Sequence, residues 1–365
     1  MELIVQTGSS YPIYFRQSYD GLYEAFKKVG MLNRKICIVT DSNVGPLYLD
    51  AVKKALGDPT LEYIPSFIFD AGEGQKNMDI LQAMYTCFLF HKLDRRSVIV
   101  ALGGGVVGDL AGFAAATFMR GIDFVQLPTS LLAQVDASAG GKTAIDFEGV
   151  KNLIGAFHQP RLVYINLDTL KTLPRQEFIS GMGEVIKHGL IADEGYYQYL
   201  NDNRQAILDL SPETMLQVVA GSCRIKAAVV AKDERETGLR EILNFGHCVG
   251  HAVESLSEYS LPHGQCVAIG MCAALRLSLD IGHITKVELE RAIELMKSFD
   301  LPITISADAV YKPDEILSTM YKDKKTINDT LRVVLLKKIG EAYTDSKISP
   351  ENILQSLVYD TPALQ

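Results

Sequence analysis

The sequence predicts an α/β plus α protein: a parallel, doubly wound sheet in the N-terminal part and a mainly helical C-terminal part. Three observations carry this. Short apolar runs alternate with helical patterns as far as Leu173-Pro174, the order expected of βα units and a parallel sheet. The run Val98 to Leu102 has the length and content of a buried parallel strand and leads straight into Gly103-Gly104-Gly105. Beyond Pro174 nearly every segment reads with helical periodicity. The 365 residues are long for one domain, so 1–173 is read as the α/β domain and 174–365 as the helical one.

The elements follow in order. Lys35 to Thr40 is a strand, closed by Asp41-Ser42-Asn43 as a turn or helix cap. Pro46 to Leu56 reads as a helix and Glu62 to Phe69 as a strand ending in Asp70-Ala71-Gly72-Glu73-Gly74. Met78 to His91 is a helix, Ser97 to Leu102 the strand before the glycines, and Phe124 to Leu127 and Arg161 to Asn166 two further strands. The second half reads as helices over Gln176–Ala192, Glu194–Leu210, Glu213–Asp233, Glu241–Ser257, Gln265–Ile281 and Lys286–Phe299, with a strand-like run at Leu331–Leu336.

The stretch Gly103 to Asn152 is polar only at isolated points. Glycines after a buried strand let backbone N–H groups approach a phosphate, and a following helix N-terminus adds a favourable dipole. This predicts a site for a phosphorylated or dinucleotide ligand. Ser97 to Phe118 is almost free of charge, but it contains Asp109 and five glycines and breaks into strand, loop and small-residue helix, so it is not read as a membrane span.

A net charge of −8 argues against a nucleic-acid or anionic-membrane surface. MELIVQTGSS has neither a basic region nor a long apolar core, so no secretory signal is expected. Six scattered cysteines without a CxxC pattern suit a reduced, cytoplasmic protein.

Three features of the helical half carry chemistry. In GMGEVIKH, Glu184 and Lys187 lie three apart on one helical face, in an apolar setting beside two glycines. In LNFGHCVGH, His247 and His251 lie four apart. That spacing suits either a His–His chelate or one ligand and one proton carrier. In LPHGQ, His263 stands at a loop–helix junction. With His188, these residues have the composition of a His/carboxylate metal site with open positions, suited to zinc acting on a small hydroxylated substrate. Cys248 and Cys266 beside them are read as small core residues.

Ordered blocks over most of the chain resemble the 3-dehydroquinate synthase family: GGGVVGDLAGFAAATFMRG, LPTSLLAQVDASAGGKTAID, KNLIGAFHQP, GMGEVIKHGLI, DERETGLREILNFGHCVGHAVE, HGQCVAIGM and DKK…LRVVLLKKIG. The resemblance implies a Rossmann-like NAD-binding domain before a helical metal- and substrate-binding domain. It implies a Zn2+ or Co2+ ion on Glu184, His247 and His263. His251, Lys142, Asn152, Lys226, Arg240 and Asn244 would face the substrate, with Asp136 and Lys187 on its hydroxyls near the metal. One of Lys324 and Lys325 would also reach it. Arg120 would reach the phosphate pocket of a partner subunit, implying a homodimer. NAD+ would lie against Asp41, Asn43, Glu73, Lys76 and the Gly-rich turn, namely Gly104, Gly105, Val106, Val107, Gly108 and Asp109. Thr129, Ser130, Lys142, Lys151 and the segment Thr169, Leu170, Lys171, Thr172 would complete that site.

In that family the substrate is 3-deoxy-D-arabino-heptulosonate 7-phosphate (DAHP). It is transiently oxidised, loses phosphate by β-elimination, is reduced again and closes to a carbocycle. The chain departs from the family pattern at Ser130, Asp146, Gly183 and Gln265, the last replacing a glutamate beside His263. Such a change could alter how that ring is oriented. Alternative readings are another sugar-phosphate cyclase such as a 2-deoxy-scyllo-inosose synthase, a metal-dependent polyol dehydrogenase, or a catalytically silent homologue.

Overall fold

The computed structural model describes residues 1–57, 63–258, 260–305, 312–322 and 331–357. They divide into two compact units, 1–173 with 215–235, and 174–214 with 236–365.

The first unit is built on a seven-stranded sheet. Its strands are β1 (Glu2–Val5), β2 (Tyr11–Arg16), β3 (Ile36–Asp41), β4 (Ser66–Phe69), β5 (Val98–Gly103), β6 (Asp123–Pro128) and β9 (Leu162–Asn166). A separate antiparallel hairpin is formed by β7 (Lys142–Phe147) and β8 (Val150–Phe157). The order across the sheet is β1-β2-β9-β6-β5-β3-β4, parallel except for β1 at the edge. Helices α1 (Leu22–Lys28), α2 (Gly45–Leu56), α3 (Met78–Phe90) and α4 (Gly105–Thr117) connect the strands. Alternation along the strands sends Ile36, Ile38, Val98 and Val100 to a core with Leu22, Phe26 and Val52 of α1 and α2. Cys37, Val39, Ile99 and Ala101 go to the opposite core, with Met84, Phe88 and Leu110 of α3 and α4. Both faces are thereby covered, and the strands read as unbroken apolar runs for that reason.

The small-residue character of α4 has a steric cause. A methyl on Gly112 would stand 2.5 Å from Thr143 Cγ2, and one on Gly108 2.8 Å from Gln126 Oε1. Glycine is what lets this helix lie so close to the sheet and the hairpin.

The second unit contains α5 (Arg175–Ala192), α6 (Glu194–Asp202), α7 (Arg204–Leu208), the start of α8 (Pro212–Lys232), α9 (His247–Leu256), α10 (His263–Asp280), α11 (Lys286–Ser298), α12 (Pro313–Lys322) and α13 (Pro350–Leu357), with a hairpin of β10 (Val333–Lys338) and β11 (Glu341–Asp345). Most of α8 belongs with the first unit, because 215–235 packs there although it lies beyond Pro174 in sequence. By length and composition α8 could cross a membrane, but 72% of its apolar window is buried in the protein, so its hydrophobicity serves packing.

Two sequence expectations are corrected. Glu194–Leu210 is two helices rather than one, broken at Asn203, whose side-chain amide donates to Tyr199 O at 2.9 Å. Glu241–Ser257 is a 3-10 turn, Leu239–Asn244, and then α9, separated by Gly246 at φ 81°. A methyl at Gly246 would also meet Val267 O and Met271 N at 2.7 Å. The strand expected from Glu62 is described only from Ser66, and Glu62 itself lies outside the described residues.

All six cysteines are free thiols. The Cys87 thiol on α3 is lowered in pKa by its neighbour Cys37 on β3, against a smaller upward push from burial. Burial pushes Cys223 and Cys272 up to about 12. Cys87, lowered in pKa and only partly buried, is therefore expected to be the first thiol alkylated by iodoacetamide, with a rate that rises with pH as its thiolate forms. Peptide mapping of the modified protein checks this; prior labelling of another cysteine would contradict it.

Candidate active site

In the first unit, the parallel strands all end on one side, and the residues expected to bind a cofactor follow those ends. After β3, Asp41 Oδ1 accepts from the N–H groups of Asn43 (2.9 Å) and Val44 (2.8 Å). After β4 comes a 3-10 turn, Glu73–Gln75. After β5, Gly104 caps α4, whose first turns carry Gly105, Val106, Val107, Gly108 and Asp109. After β6, the Thr129 N–H donates to Gly103 O at 3.0 Å, and Ser130 Oγ accepts from Ala133 N at 3.3 Å. After β9, Thr169, Leu170, Lys171 and Thr172 lie in the 3-10 helix Leu167–Thr172. Lys171 pairs with Asp168 at 2.8 Å, and Tyr48 hydrogen-bonds Thr172. This is where ligands bind in open parallel sheets.

Lys76 ties these loops together. It is buried, pairs with Asp109 at 2.6 Å and Glu73 at 3.9 Å, and donates to Asn152 Oδ1. Burial pulls its pKa down, but Asp109 and Glu73 outweigh burial and the net direction is up. Lys151 joins Glu73 at 3.6 Å. Burial raises Asp109, with Lys76 opposing. Asn152 adopts φ 51°, and its N–H donates to Asp146 Oδ1 at 2.7 Å. The aspartate at position 146 therefore holds the turn that presents Asn152.

Lys142 opens β7 with its side chain exposed. Asp136 sits in a short π-helical segment, Ala133–Ala137, and pairs with Lys226 of α8 at 2.6 Å. π-turns are rare and frequent at functional sites. Arg120 is exposed, and Met119 and Arg120 take successive positive φ values of 49° and 71°. Non-glycine residues in that region persist only where their surroundings hold them.

In the second unit, α5, α9 and α10 bring five of the expected residues together. Glu184 and Lys187 of α5 are both 1% exposed and form an ion pair. His247 opens α9 because Gly246 breaks the preceding turn, and His263 opens α10 after Pro262. Their Nε2 atoms lie 3.8 and 3.7 Å from the same oxygen, Glu184 Oε1. Each ring's other nitrogen is engaged: His247 Nδ1 with Phe245 O at 3.3 Å, His263 Nδ1 with Glu254 Oε2 at 3.2 Å. With the Nδ1–H donated in each case, both Nε2 lone pairs face Glu184. His251 completes the group, its ring 5.2 Å from His247 and 5.8 Å from His263, centroid to centroid.

This donor set fits a divalent metal. Lys187 pairs with Glu184 Oε2, and Oε1, the oxygen the two histidines face, is buried without a hydrogen-bond donor, an expensive state for a carboxylate oxygen unless a further cation satisfies it. Ligands about 2.1 Å from a tetrahedral ion lie about 3.4 Å apart, a few tenths of an ångström closer than the separations here.

Arg240 is buried and Asn244 half-buried in the turn before His247; Asn244 Nδ2 donates to Glu236 Oε1 at 3.0 Å. Gln265 donates to Gln176 Oε1 at 2.7 Å. It thus joins α10 to α5. Sequence reasoning passed over Glu254; its signal was the spacing of seven from His247, two turns along one helical face. Lys324 and Lys325 lie outside the described residues.

Residues 66–180 match the family model of the 3-dehydroquinate synthase N-terminal domain, and 181–326 that of its C-terminal domain. A 3-dehydroquinate synthase of Acetivibrio thermocellus is 43% identical over 96% of both chains. Among solved structures, a 2-deoxy-scyllo-inosose synthase complexed with carbaglucose-6-phosphate, NAD+ and Co2+ superposes with TM-score 0.88 at 22% identity, covering 98% of this chain and 99% of the other. A 2-epi-5-epi-valiolone synthase from Streptomyces hygroscopicus with NAD+ and Zn2+ bound gives 0.84 at 24% identity, covering 96% of each. At those identities the two structures establish the fold.

Proposed function

Because this chain belongs to the 3-dehydroquinate synthase family, we propose that it converts DAHP to 3-dehydroquinate and phosphate, a carbon–oxygen lyase step of the shikimate pathway, using NAD+ and a divalent metal. The observation that carries this reading is the convergence of His247 Nε2 and His263 Nε2 on Glu184 Oε1 at 3.8 and 3.7 Å.

When bound, NAD+ takes a hydride from substrate C5 and later returns it, and Zn2+ or Co2+ acidifies the hydroxyls it touches. Glu184, His247 and His263 hold the metal. Lys187 and Asp136 bind substrate hydroxyls beside it, with Lys226 holding the Asp136 carboxylate in place. Lys142, Asn152, Arg240, Asn244 and His251 bind the phosphate and carboxylate ends of the substrate, the work of charge-assisted hydrogen bonds. The departing phosphate takes the proton next to the new ketone. Residues from Asp41 and Asn43 to Thr169–Thr172 at the strand ends would hold NAD+, with Lys76 and Lys151 balancing Glu73 and Asp109. Removal of one hydride and its return leave no net redox change.

We also infer a homodimer. Support comes from Phe147, Val150, Leu153 and Phe157, four large apolar side chains exposed along the β7–β8 hairpin, and from the constrained backbone that presents Arg120. Six free thiols suit the cytoplasm.

Purified protein given metal, NAD+ and DAHP should release phosphate and yield 3-dehydroquinate. Turnover of glucose 6-phosphate in its place would assign the chain to the other cyclases. Lys142→Ala should lower kcat/KM for DAHP by roughly 10- to 100-fold, the worth of one charge-assisted bond. Steady-state kinetics at fixed ionic strength check this; kinetics equal to the parent enzyme would remove Lys142 from the phosphate site.

A further inference from the structure

Helix α9 carries three functional positions on one face: His247, His251 and, after one more turn, Glu254. The first two belong to the site described above. Glu254 is buried, 4% exposed, at the far side of the His263 ring from Glu184. Its Oε2 lies 3.2 Å from His263 Nδ1, while His263 Nε2 is turned toward Glu184 Oε1 at 3.7 Å. The two nitrogens of an imidazole point away from each other, so Glu254 addresses the ring from behind.

We propose that Glu254 is the positioning residue of the metal centre: its carboxylate accepts the Nδ1–H of His263, fixes that tautomer, and aims Nε2 at the metal. This rests on the metal reading given above. A carboxylate behind a ligating histidine holds the ring and makes the other nitrogen a stronger donor. His247 is held differently, by the neutral carbonyl of Phe245 at 3.3 Å. The two histidines therefore differ in support, and His263, at a loop–helix junction, is held by the charged one. Gln265, the next residue but one, instead links α10 to Gln176 of α5.

The test compares Glu254→Gln, Glu254→Ala and His263→Ala with the parent protein. Co2+ affinity is read by chelator competition, and the d–d absorption of bound Co2+ reports the ligand field. Glu254→Gln keeps the volume and an oxygen acceptor, so it separates orientation from folding. The expected result is one Co2+ per chain in both Glu254 variants. Affinity should be about 10- to 100-fold weaker in Glu254→Ala, partly restored in Glu254→Gln, with a shifted d–d band in both. NAD+ affinity, read on the same samples, should not change. Affinity and spectrum equal to the parent in both Glu254 variants, with metal lost only in His263→Ala, would overturn the role of Glu254 and leave the metal reading intact. Failure of the parent protein to take up Co2+ would instead overturn the metal reading.

Discussion

His263→Ala protein should hold no stoichiometric metal, and its turnover should fall by roughly three orders of magnitude. Removing one of three protein ligands leaves Glu184 and His247, and two ligands do not hold an exchangeable ion against buffer. Metal-assisted charge stabilisation is worth several kcal/mol, and each 1.4 kcal/mol is a factor of ten. Lys187 stays paired with Glu184, so the vacated carboxylate keeps one cation and the helices should remain packed. Metal analysis after dialysis, alongside circular dichroism, checks this. One metal per folded chain after the substitution would mean that His251 or His188 is the third ligand.

The same geometry sets a pH limit. Burial lowers the pKa of metal-free His263, but the hydrogen bond and charge of Glu254 outweigh it, and the net shift is upward from 6.5. A proton on Nε2 competes with the metal. Affinity should therefore begin to fall, as pH is lowered, at a higher pH than an ordinary histidine would give.

Gly264→Ala should destabilise the second unit and loosen the metal centre together. A methyl there would stand 1.8 Å from Ser180 O, and Gly264 N–H already donates to Ser180 Oγ at 3.0 Å. The obstruction is backbone, which cannot rotate away. Overpacking of this kind costs about 3 kcal/mol or more, a drop of roughly 5 to 10 °C in Tm for a unit of this size. α5 and α10 would have to part at the turn that carries His263, so metal affinity should fall as well. Thermal melts and chelator competition measure both effects. An unchanged Tm would mean that α10 can shift without cost.

The central strands of the parallel sheet were legible because burial on both faces writes a strand as an apolar run with a polar or glycine end, whereas β2, parallel to β9, was not read as a strand. Ile36 to Asp41, Val98 to Gly103 and Leu162 to Asn166 all have this form. The β7–β8 hairpin was not: Gly140-Gly141-Lys142 and Lys151-Asn152 read as ligand-binding points, and the pairing between them depends on the turn at Glu148 and Gly149. The break before α9 was hidden because apolar spacing continues across Gly246, while the left-handed turn there is forced by contact with α10. At the site, residue types and spacing pointed to histidines and Glu184, the choice of His247 and His263 came only from the family resemblance, and the fold supplies its physical reason. Convergence of side chains from α5, α9 and α10 is a tertiary fact. Glu254 escaped notice because an acidic residue on a helix is ordinarily solvated, and only its burial behind His263 gives it meaning.

A redox-neutral, metal-dependent cyclisation is tested directly by following phosphate and NADH together in one reaction of DAHP, NAD+ and metal-loaded protein. Many phosphates released per enzyme, no net NADH and complete inhibition by a chelator are expected. NADH accumulating in step with substrate consumption would contradict it and identify a polyol dehydrogenase.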